Sequence, residues 1–406
     1  MPGELIPVAD ARQRVLDAVQ PLDPQPVPIA DALGRVLAAD VLAAGDLPPF
    51  PSSAMDGYAV TAGQAGRTLT VVGESRAGEP SQVPVRDGEA VRISTGAAVP
   101  PGSDSVIRQE DVTGEGERIA TTAEVAPSAN IRAAGEVMRA GDRILAAGTA
   151  LGPAELGAAV AAGVAEVRAT GRPRVQVLAT GDELRDPGAS LQAGQIHNSN
   201  GPMLTAYSRA EGALAPASQL LADEPAATEA GLARALQDAD VVVVCGGMSV
   251  GPHDHVKPAL AQLGVAEAFW GVALQPGKPT WFGTRQAKLV FGLPGNPVSA
   301  AVTFALFVAP ALRRLGGRTE ALNGPTEARL VGDPIRRNPI REQALRVRLE
   351  LSDGTTVARV NGPQGSHVIT SLIGADALAL IPPGDDQVQP GTVLALHSLA
   401  RYTLCT

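Results

Sequence analysis

The segment VVVVCGGMSVGPHD, Val241 to Asp254, runs an uninterrupted apolar stretch directly into a glycine-rich loop. Two further segments repeat this arrangement: VQVLATGDEL, Val175 to Leu184, and KLVFGLPGNPVSA, Lys288 to Ala300. Continuous β-branched runs without polar alternation are typical of a parallel sheet covered on both faces. The sequence therefore predicts a doubly wound α/β domain. Its loops should gather at the carboxyl ends of the strands, where ligands bind in such sheets.

The three loops predict an anion- or phosphate-binding cleft. Glycine lets the backbone approach a ligand closely, and free N–H groups at loop and helix starts attract anions. Asn296 and Pro297 are suited to begin a helix after the third loop, as N-cap and first helical residue. The turn QPGKP, Gln275 to Pro279, presents Lys278, a point charge that suits phosphate.

Composition limits the class of protein. The chain has 406 residues, 45% of them hydrophobic and 3% aromatic, so we expect several domains with aliphatic cores. The net charge of −9 argues against a surface for nucleic acid or anionic membranes. Met1 to Asp10 lacks the pattern of a signal peptide, and the apolar stretch Val298 to Leu312 is predicted to be too short to span a bilayer. We therefore expect a cytoplasmic protein.

The periodicity predicts secondary structure along the whole chain. Between Thr68 and Ile131, short alternating runs separated by turn residues predict a small antiparallel β domain. After Leu315, further alternating runs predict a C-terminal β domain. We predict helices, the first with Asp10 as N-cap, at Ala9–Val19, Pro153–Ala162, Pro202–Arg209, Ala226–Gln237, Lys257–Leu263 and Pro297–Arg314.

Two polar segments leave alternatives open. Thr180-Gly181-Asp182-Glu183 presents a hydroxyl and two carboxylates, one of which can hold Mg²⁺; the other interpretation is an ordinary strand exit with solvated acids. His253-Asp254-His255 contains a pair of histidines, but without a third ligand at suitable spacing we interpret the pair as incidental to metal binding. Cys245, inside the valine run, is predicted to be an inert core thiol.

Eight motifs, in this order, resemble the molybdopterin molybdenumtransferase family, whose eukaryotic relative is the E domain of gephyrin. They extend from about residue 47 to 373: SAMDGYAV, RISTGAAVPPGSDSVIRQED, NIRAAGE, ATGDEL, GGMSVGPHDHVK, QPGKP, GLPGNPVSA and GPQGSHVITSL.

The resemblance implies a multidomain α/β plus β fold that forms a homodimer. We expect an elongated helical subdomain at 1–50 and 136–172, an inserted small β subdomain at 51–135, a molybdopterin-binding α/β domain at 173–317 and a C-terminal β domain at 326–406. Because Asp56 and the glycine loops lie far apart in the sequence, we further expect Asp56 to reach the cleft of the other subunit.

The resemblance also implies the reaction. Molybdenum from molybdate is inserted into adenylylated molybdopterin in a Mg²⁺-dependent step that releases AMP, and the adenylyltransferase of the preceding step is the expected upstream partner. The implied catalytic residues are Asp56, Thr95, Glu183, Asp223 and Asp254, with Asp56 and Glu183 as Mg²⁺ ligands. The expected substrate-binding residues are Thr180, Gly181, Asp182, Gly246, Gly247, Ser249, Gly251, Lys257, Lys278, Pro294, Gly295, Asn296, Pro297 and Ser299.

Two positions depart from the family pattern. Val137 stands where the family usually has aspartate, and Gln275 where it usually has lysine. Two alternatives therefore accompany the enzyme hypothesis: a non-catalytic molybdopterin-binding carrier or scaffold, and a paralogue that uses tungstate. The presence of Asp56, Glu183, Asp223 and Asp254 together favours the enzyme.

Overall fold

The computed structural model describes residues 5–114, 116–248, 255–318 and 326–399. The chain forms two compact units. The main unit comprises Met1–Gln25, Gly34–Ala38 and Ala169–Thr406, and the smaller unit comprises Pro26–Leu33 and Ala39–Arg168.

The helices lie close to the predicted positions. They are α1 (Val8–Asp17), α2 (Pro153–Ala161), α3 (Asn200–Ala210), α4 (Pro225–Asp238), α5 (Val256–Gln262), α6 (Pro297–Thr303) and α7 (Ala309–Leu315). The prediction of Asp10 as N-cap is wrong: Pro7 precedes the first helix, and Asp10 lies within its first turn. An acidic side chain there still faces the positive end of the helix dipole.

The strands of the first half of the chain are short. They are β1 (Pro24–Pro28), β2 (Val41–Leu42), β3 (Ser52–Ser53), β4 (Gly57–Val60), β5 (Thr68–Ser75), β6 (Glu89–Ile93), β7 (Ser105–Arg108), β8 (Val112–Thr113), β9 (Arg118–Thr121), β10 (Ile131–Arg132), β11 (Arg143–Leu145) and β12 (Glu166–Thr170).

The second half contains the three predicted glycine-loop strands. Its strands are β13 (Val175–Thr180), β14 (Leu184–Arg185), β15 (Ile196–His197), β16 (Gln219–Leu221), β17 (Val241–Cys245), β18 (Ala266–Trp270), β19 (Leu274–Gln275), β20 (Trp281–Arg285), β21 (Lys288–Leu293), β22 (Thr326–Val331), β23 (Ile335–Arg336), β24 (Glu342–Ser352), β25 (Thr355–Val360), β26 (Ala377–Ile381), β27 (Gln387–Val388) and β28 (Val393–Ser398).

The main unit contains the predicted parallel sheet. Its strand order is β16-β13-β17-β21-β20-β18, and β13, β17 and β21 are neighbours that pair in parallel, as predicted. The residues of β17 are all buried, because helices cover both faces. The remaining edge is antiparallel, which the sequence did not predict. Only residues 286 and 287 separate β20 from β21, and a connection this short permits only an antiparallel pair.

The most apolar helix lies in the core of the main unit. Pro297–Leu315 is helical throughout, with a π-helical turn at Phe304–Val308 just before Pro310. Proline cannot donate a backbone hydrogen bond, and a π turn is one way for a helix to accommodate it. At 19 residues the helix is long and apolar enough to cross a membrane, although the apolar stretch Val298 to Leu312 was predicted to be too short. Its most apolar window is 89% buried inside the protein, as in a core helix.

The C-terminal part of the main unit is a closed β structure. Its pairing order is β24-β25-β22-β28-β26, and β26 returns to pair with β24. Closure leaves few unpaired edges, so the strands bury a shared aliphatic core. β19, from the QPGKP region, adds to β24 in parallel and connects this structure to the α/β sheet.

The smaller unit is built on a mixed sheet of order β7-β4-β6-β5-β9-β8. The prediction of an antiparallel domain is wrong for one pair of strands, because β5 and β6 pair in parallel. Residues 76–88 connect these two strands, which is long enough for the chain to return to the same end of the sheet. The other pairs in this sheet are antiparallel.

Candidate active site

A cavity of about 730 Å³ lies in the main unit where β13, β17 and β21 end. The loops after these parallel strands meet at one edge of the sheet, as the sequence predicts. The helices α3 and α6 begin at the same cavity, and within the described part of the chain the C-terminal part contributes one residue, His367. Its lining residues are Ala179, Thr180, Gly181, Glu183, Leu184, Ile196, His197, Asn198, Ser199, Asn200, Asp223, Cys245, Gly246, Gly247, Gly295, Asn296, Pro297 and His367.

The glycines after β17 are required by their contacts with the end of β13. Gly246 and Gly247 have φ of 92° and 62°, in the region that side-chain-bearing residues rarely adopt. A Cβ at Gly246 would lie 2.6 Å from the Thr180 carbonyl oxygen, and one at Gly247 would lie 2.8 Å from the Thr180 hydroxyl. The absence of side chains therefore lets the two loops pack closely and leaves mainly backbone to line this part of the cavity.

Acidic side chains occupy one side of the cavity. Burial raises the pKa of Asp223, and the nearby negative charges of Asp182 and Glu183 raise it further. Asp182 accepts a hydrogen bond from the Asp223 backbone N–H through Oδ1, at 3.4 Å. The Glu183 carboxylate folds back over Gly181, where a Cβ would lie 2.6 Å from Oε2. These carboxylates repel one another, and a cation would relieve that repulsion.

The start of α6 contributes another part of the lining. Asn296 precedes the helix, as predicted, but its side chain does not cap the helix. Its amide instead donates to the Ser366 hydroxyl at 3.3 Å, and the Val298 N–H donates to the Ser366 carbonyl oxygen at 3.1 Å. A loop of the C-terminal part is thereby attached to the rim of the cavity, and it places His367 in the lining.

Several lining residues were not predicted as site residues. Asn200, at the start of α3, donates to the Gly295 carbonyl oxygen at 2.6 Å and to Cys245 Sγ at 3.2 Å. It therefore connects the start of α3 to the end of β17 and to the loop before α6. Burial raises the pKa of Cys245 to about 12, which keeps it protonated and agrees with the prediction of an inert thiol. The segment His197-Asn198-Ser199-Asn200, a polar run before a predicted helix, is the signal that could have identified this group.

The structure brings together part of the predicted substrate site. The predicted residues that line the cavity are Thr180, Gly181, Glu183, Asp223, Gly246, Gly247, Gly295, Asn296 and Pro297. Predicted residues of the main unit that do not line it are Asp182, Lys257, Lys278, Pro294 and Ser299. The predictions for Ser249, Gly251 and Asp254 fall outside the described residues.

Each residue outside the lining has a different environment. The Lys257 ammonium lies 4.3 Å from the centre of the Trp270 ring, and Lys278 is exposed on its turn. Ser299 is buried, since it follows Pro297 by two residues and lies on the other side of the helix. The Pro294 carbonyl oxygen accepts from Cys245 Sγ at 3.3 Å. Asp182 lies beside the lining residue Asp223, whose backbone N–H donates to it.

The smaller unit holds the predicted pair of Asp56 and Thr95 together. The Thr95 N–H and hydroxyl both donate to Asp56 Oδ1, at 2.7 and 3.2 Å. Both residues are exposed. A Cβ at Gly57 would overlap the carbonyl group of Ile107 on the neighbouring strand, so the Asp-Gly order allows β4 to pair closely beside the carboxylate.

Comparisons with known proteins agree with this fold. Family models match three consecutive regions: the MoeA N-terminal region (domain I and II) at residues 6–163, a probable molybdopterin binding domain at 176–314, and the MoeA C-terminal region (domain IV) at 329–399. The α/β sheet thus lies in a region of the type described as a probable molybdopterin binding domain.

Relatives that match over nearly their full length show the family to which the chain belongs. Molybdopterin molybdenumtransferase 2 of Mycobacterium tuberculosis is 35% identical over 97% of this chain and 99% of its own length. Molybdopterin molybdenumtransferase of Haemophilus influenzae is 33% identical over 97% of this chain and 98% of its own length. The crystal structure of the molybdopterin biosynthesis MoeA protein from Pyrococcus horikoshii superposes with a TM-score of 0.81 at 31% identity, covering 98% of this chain and 99% of that one. The chain belongs to the molybdopterin molybdenumtransferase (MoeA) family.

Proposed function

We propose that this protein inserts molybdenum from molybdate into adenylylated molybdopterin, with release of AMP. The observation that carries the proposal is one cavity that combines glycine-loop backbone with two carboxylates, those of Glu183 and Asp223. The loops suit the phosphates and the pterin, and the carboxylates suit a cation between anionic groups. The relatives named molybdopterin molybdenumtransferase support the same reaction.

The bond changes in the proposed reaction require no nucleophile from the protein. Water cleaves the phosphoanhydride, and its elements are divided between the pterin phosphate and AMP. The two dithiolene sulfurs bind molybdenum, and one molybdate oxygen leaves as water with the two thiol protons. The chain therefore needs to position the two anionic substrates and to stabilise the charge that develops on the leaving phosphate.

The acidic residues fit Mg²⁺. The described residues contain no group of three or more His, Cys, Asp and Glu side chains arranged to hold a metal ion. Mg²⁺ commonly binds one or two carboxylates and completes its shell with waters and substrate phosphates. Glu183 and Asp223 in the cavity and Asp56 in the smaller unit offer such oxygens. Mg²⁺ bound there would neutralise phosphate charge during cleavage.

The central experiment is turnover by the purified protein. It is incubated with adenylylated molybdopterin, Mg²⁺ and molybdate, and both AMP and active molybdenum cofactor are measured. Formation of both supports the proposal. Tight binding of the substrate without AMP release would instead indicate a carrier or scaffold. Replacing molybdate by tungstate in a parallel reaction determines which oxyanion is used.

We propose a cytoplasmic homodimer that receives its substrate from the adenylyltransferase of the preceding step. Asp56 and Glu183 are separated along the chain, and the proposed dimer supplies them to one site from different protomers. Mixing Asp56→Asn chains with Glu183→Gln chains should therefore restore part of the AMP release that each variant lacks. The measurement is AMP release after subunit exchange has been verified. Absence of rescue would favour a site formed within one chain.

Position 137 provides a test of the metal. Val137 is 66% exposed in the smaller unit, so an aspartate there would be solvated and compatible with folding. Ligand charge and number set affinity for hard cations, so Val137→Asp is expected to lower the Mg²⁺ concentration needed for AMP release. Titrating Mg²⁺ against AMP release in both proteins measures the effect. The neighbouring Glu136 accepts a hydrogen bond from the Ala133 N–H at 3.0 Å. This bond leaves the Glu136 carboxylate less free to bind Mg²⁺ in place of an aspartate at position 137. Coincident curves would place position 137 outside the reach of the metal.

A further inference from the structure

Arg346 is the largest fully buried side chain among the described residues. It lies on β24 with 0% exposure, and burial lowers its pKa to about 10, so it stays charged at neutral pH. No carboxylate within the described ranges forms an ion pair with it. A buried charge without a counter-charge is unfavourable unless hydrogen bonds satisfy its donors. The role of Arg346 therefore lies in the groups that its donors bind.

The guanidinium of Arg346 is used to bind one loop. Its Nε donates to the Ser371 hydroxyl at 3.2 Å, and a terminal nitrogen donates to the Pro363 carbonyl oxygen at 3.4 Å. The other terminal nitrogen donates to the Ala344 carbonyl oxygen of its own strand, at 3.3 Å. One side chain thus connects β24 to both ends of the segment 361–372, which we call the rim loop.

The backbone of Arg346 binds the rim loop as well. The Arg346 N–H donates to Gln364 Oε1 at 2.9 Å, and the Asn361 N–H donates to the Arg346 carbonyl oxygen at 2.8 Å. Asn361 in turn donates through Nδ2 to the Ser371 carbonyl oxygen, at 2.9 Å. The loop is therefore held around a single residue of the strand.

The opposite side of the rim loop forms part of the candidate site. Ser366 accepts hydrogen bonds from Asn296 and from the Val298 N–H at the start of α6. His367, the next residue, lines the cavity. The only described side chain that the C-terminal part contributes to this lining is thus carried by a loop whose other side is bound to Arg346.

We propose that Arg346 is a positioning residue for substrate binding: it holds the rim loop so that Ser366 and His367 cover the cavity at the start of α6. This inference rests on the proposed function, because it assigns the cavity to adenylylated molybdopterin. Glu183 and Asp223 lie on other loops, so the rim loop should affect substrate affinity more than the chemical step.

The test replaces Arg346 by methionine, which is similar in length but has neither charge nor donors. We expect amide exchange in residues 361–372 to become at least about tenfold faster. In the wild type the loop must break the side-chain hydrogen bonds of Arg346 in order to open, and the variant lacks these bonds. We also expect KM for adenylylated molybdopterin to rise at least about tenfold, while kcat stays within about threefold. Arg359→Met is the matched control, since Arg359 is exposed on β25, pairs with Glu350 and does not line the cavity. It should change neither quantity.

Other outcomes separate the explanations. If Arg346→Met does not fold, Ser371→Ala removes the acceptor of Nε and should shift exchange and KM in the same direction by smaller amounts. Unchanged exchange would overturn the proposal, and so would faster exchange with unchanged KM, because the loop would then be merely structural. If the wild type releases no AMP, the proposed function fails separately. The dissociation constant of adenylylated molybdopterin and the exchange rates then still decide the role of Arg346.

Discussion

Replacing Glu183 by glutamine is expected to slow AMP release by at least about a hundredfold, equivalent to about 3 kcal/mol of transition-state stabilisation. Glu183 is exposed at the cavity, so the isosteric change should leave the fold intact. Glutamine keeps an acceptor oxygen but loses the charge that a Mg²⁺ ion between phosphates requires. Binding of adenylylated molybdopterin should change little, because backbone and other side chains line most of the cavity.

The measurement is single-turnover AMP release together with the dissociation constant of the substrate. Asp186→Asn serves as the control, since Asp186 is an exposed acid three residues further along the chain, just after β14, and does not line the cavity. It should behave like the wild type. Near-normal turnover by Glu183→Gln would remove Glu183 from the mechanism, and an equal loss in both variants would indicate a general charge effect.

Local sequence signals predicted the framework of this protein well. The valine run of β17 is fully apolar, and its neighbours β13 and β21 are mostly apolar, because these strands are buried on both faces. Such strands are recognisable without knowledge of their partners. The loops after them were predicted to meet because parallel strands place their carboxyl ends together. Thr180, Gly246 and Pro297 accordingly line one cavity.

The residues that the sequence did not predict depend on contacts between distant segments. His367 joins the cavity only because Arg346 and Ser366 hold its loop, and no local pattern encodes this arrangement. Ser299 was predicted from its place in a motif, but the rotation of a helix turns it away from the cavity after two residues. Strand β20, which lies between β21 and β18, was missed because its two-residue connection to β21 lacks the usual turn residues.

Replacing Gly246 by alanine is expected to reduce both stability and substrate binding. Its φ of 92° disfavours any L side chain, at a cost of roughly 1–2 kcal/mol. The new Cβ would also lie 2.6 Å from the Thr180 carbonyl oxygen, which belongs to the backbone of β13 and cannot move without displacing the strand. Thr180 and Gly246 both line the cavity, so their separation should weaken binding of adenylylated molybdopterin at least about tenfold.

Gly212→Ala separates the cost of the backbone conformation from the cost of the contact with Thr180. Gly212 follows α3 with φ of 86°, and a Cβ there would meet nothing within 4 Å. Its substitution should therefore show the backbone penalty alone, with unchanged substrate binding. Urea unfolding and substrate titration of both variants, below their unfolding transitions, provide the comparison. Equal losses of stability with normal binding in both variants would mean that the loop after β17 moves aside freely and does not shape the site.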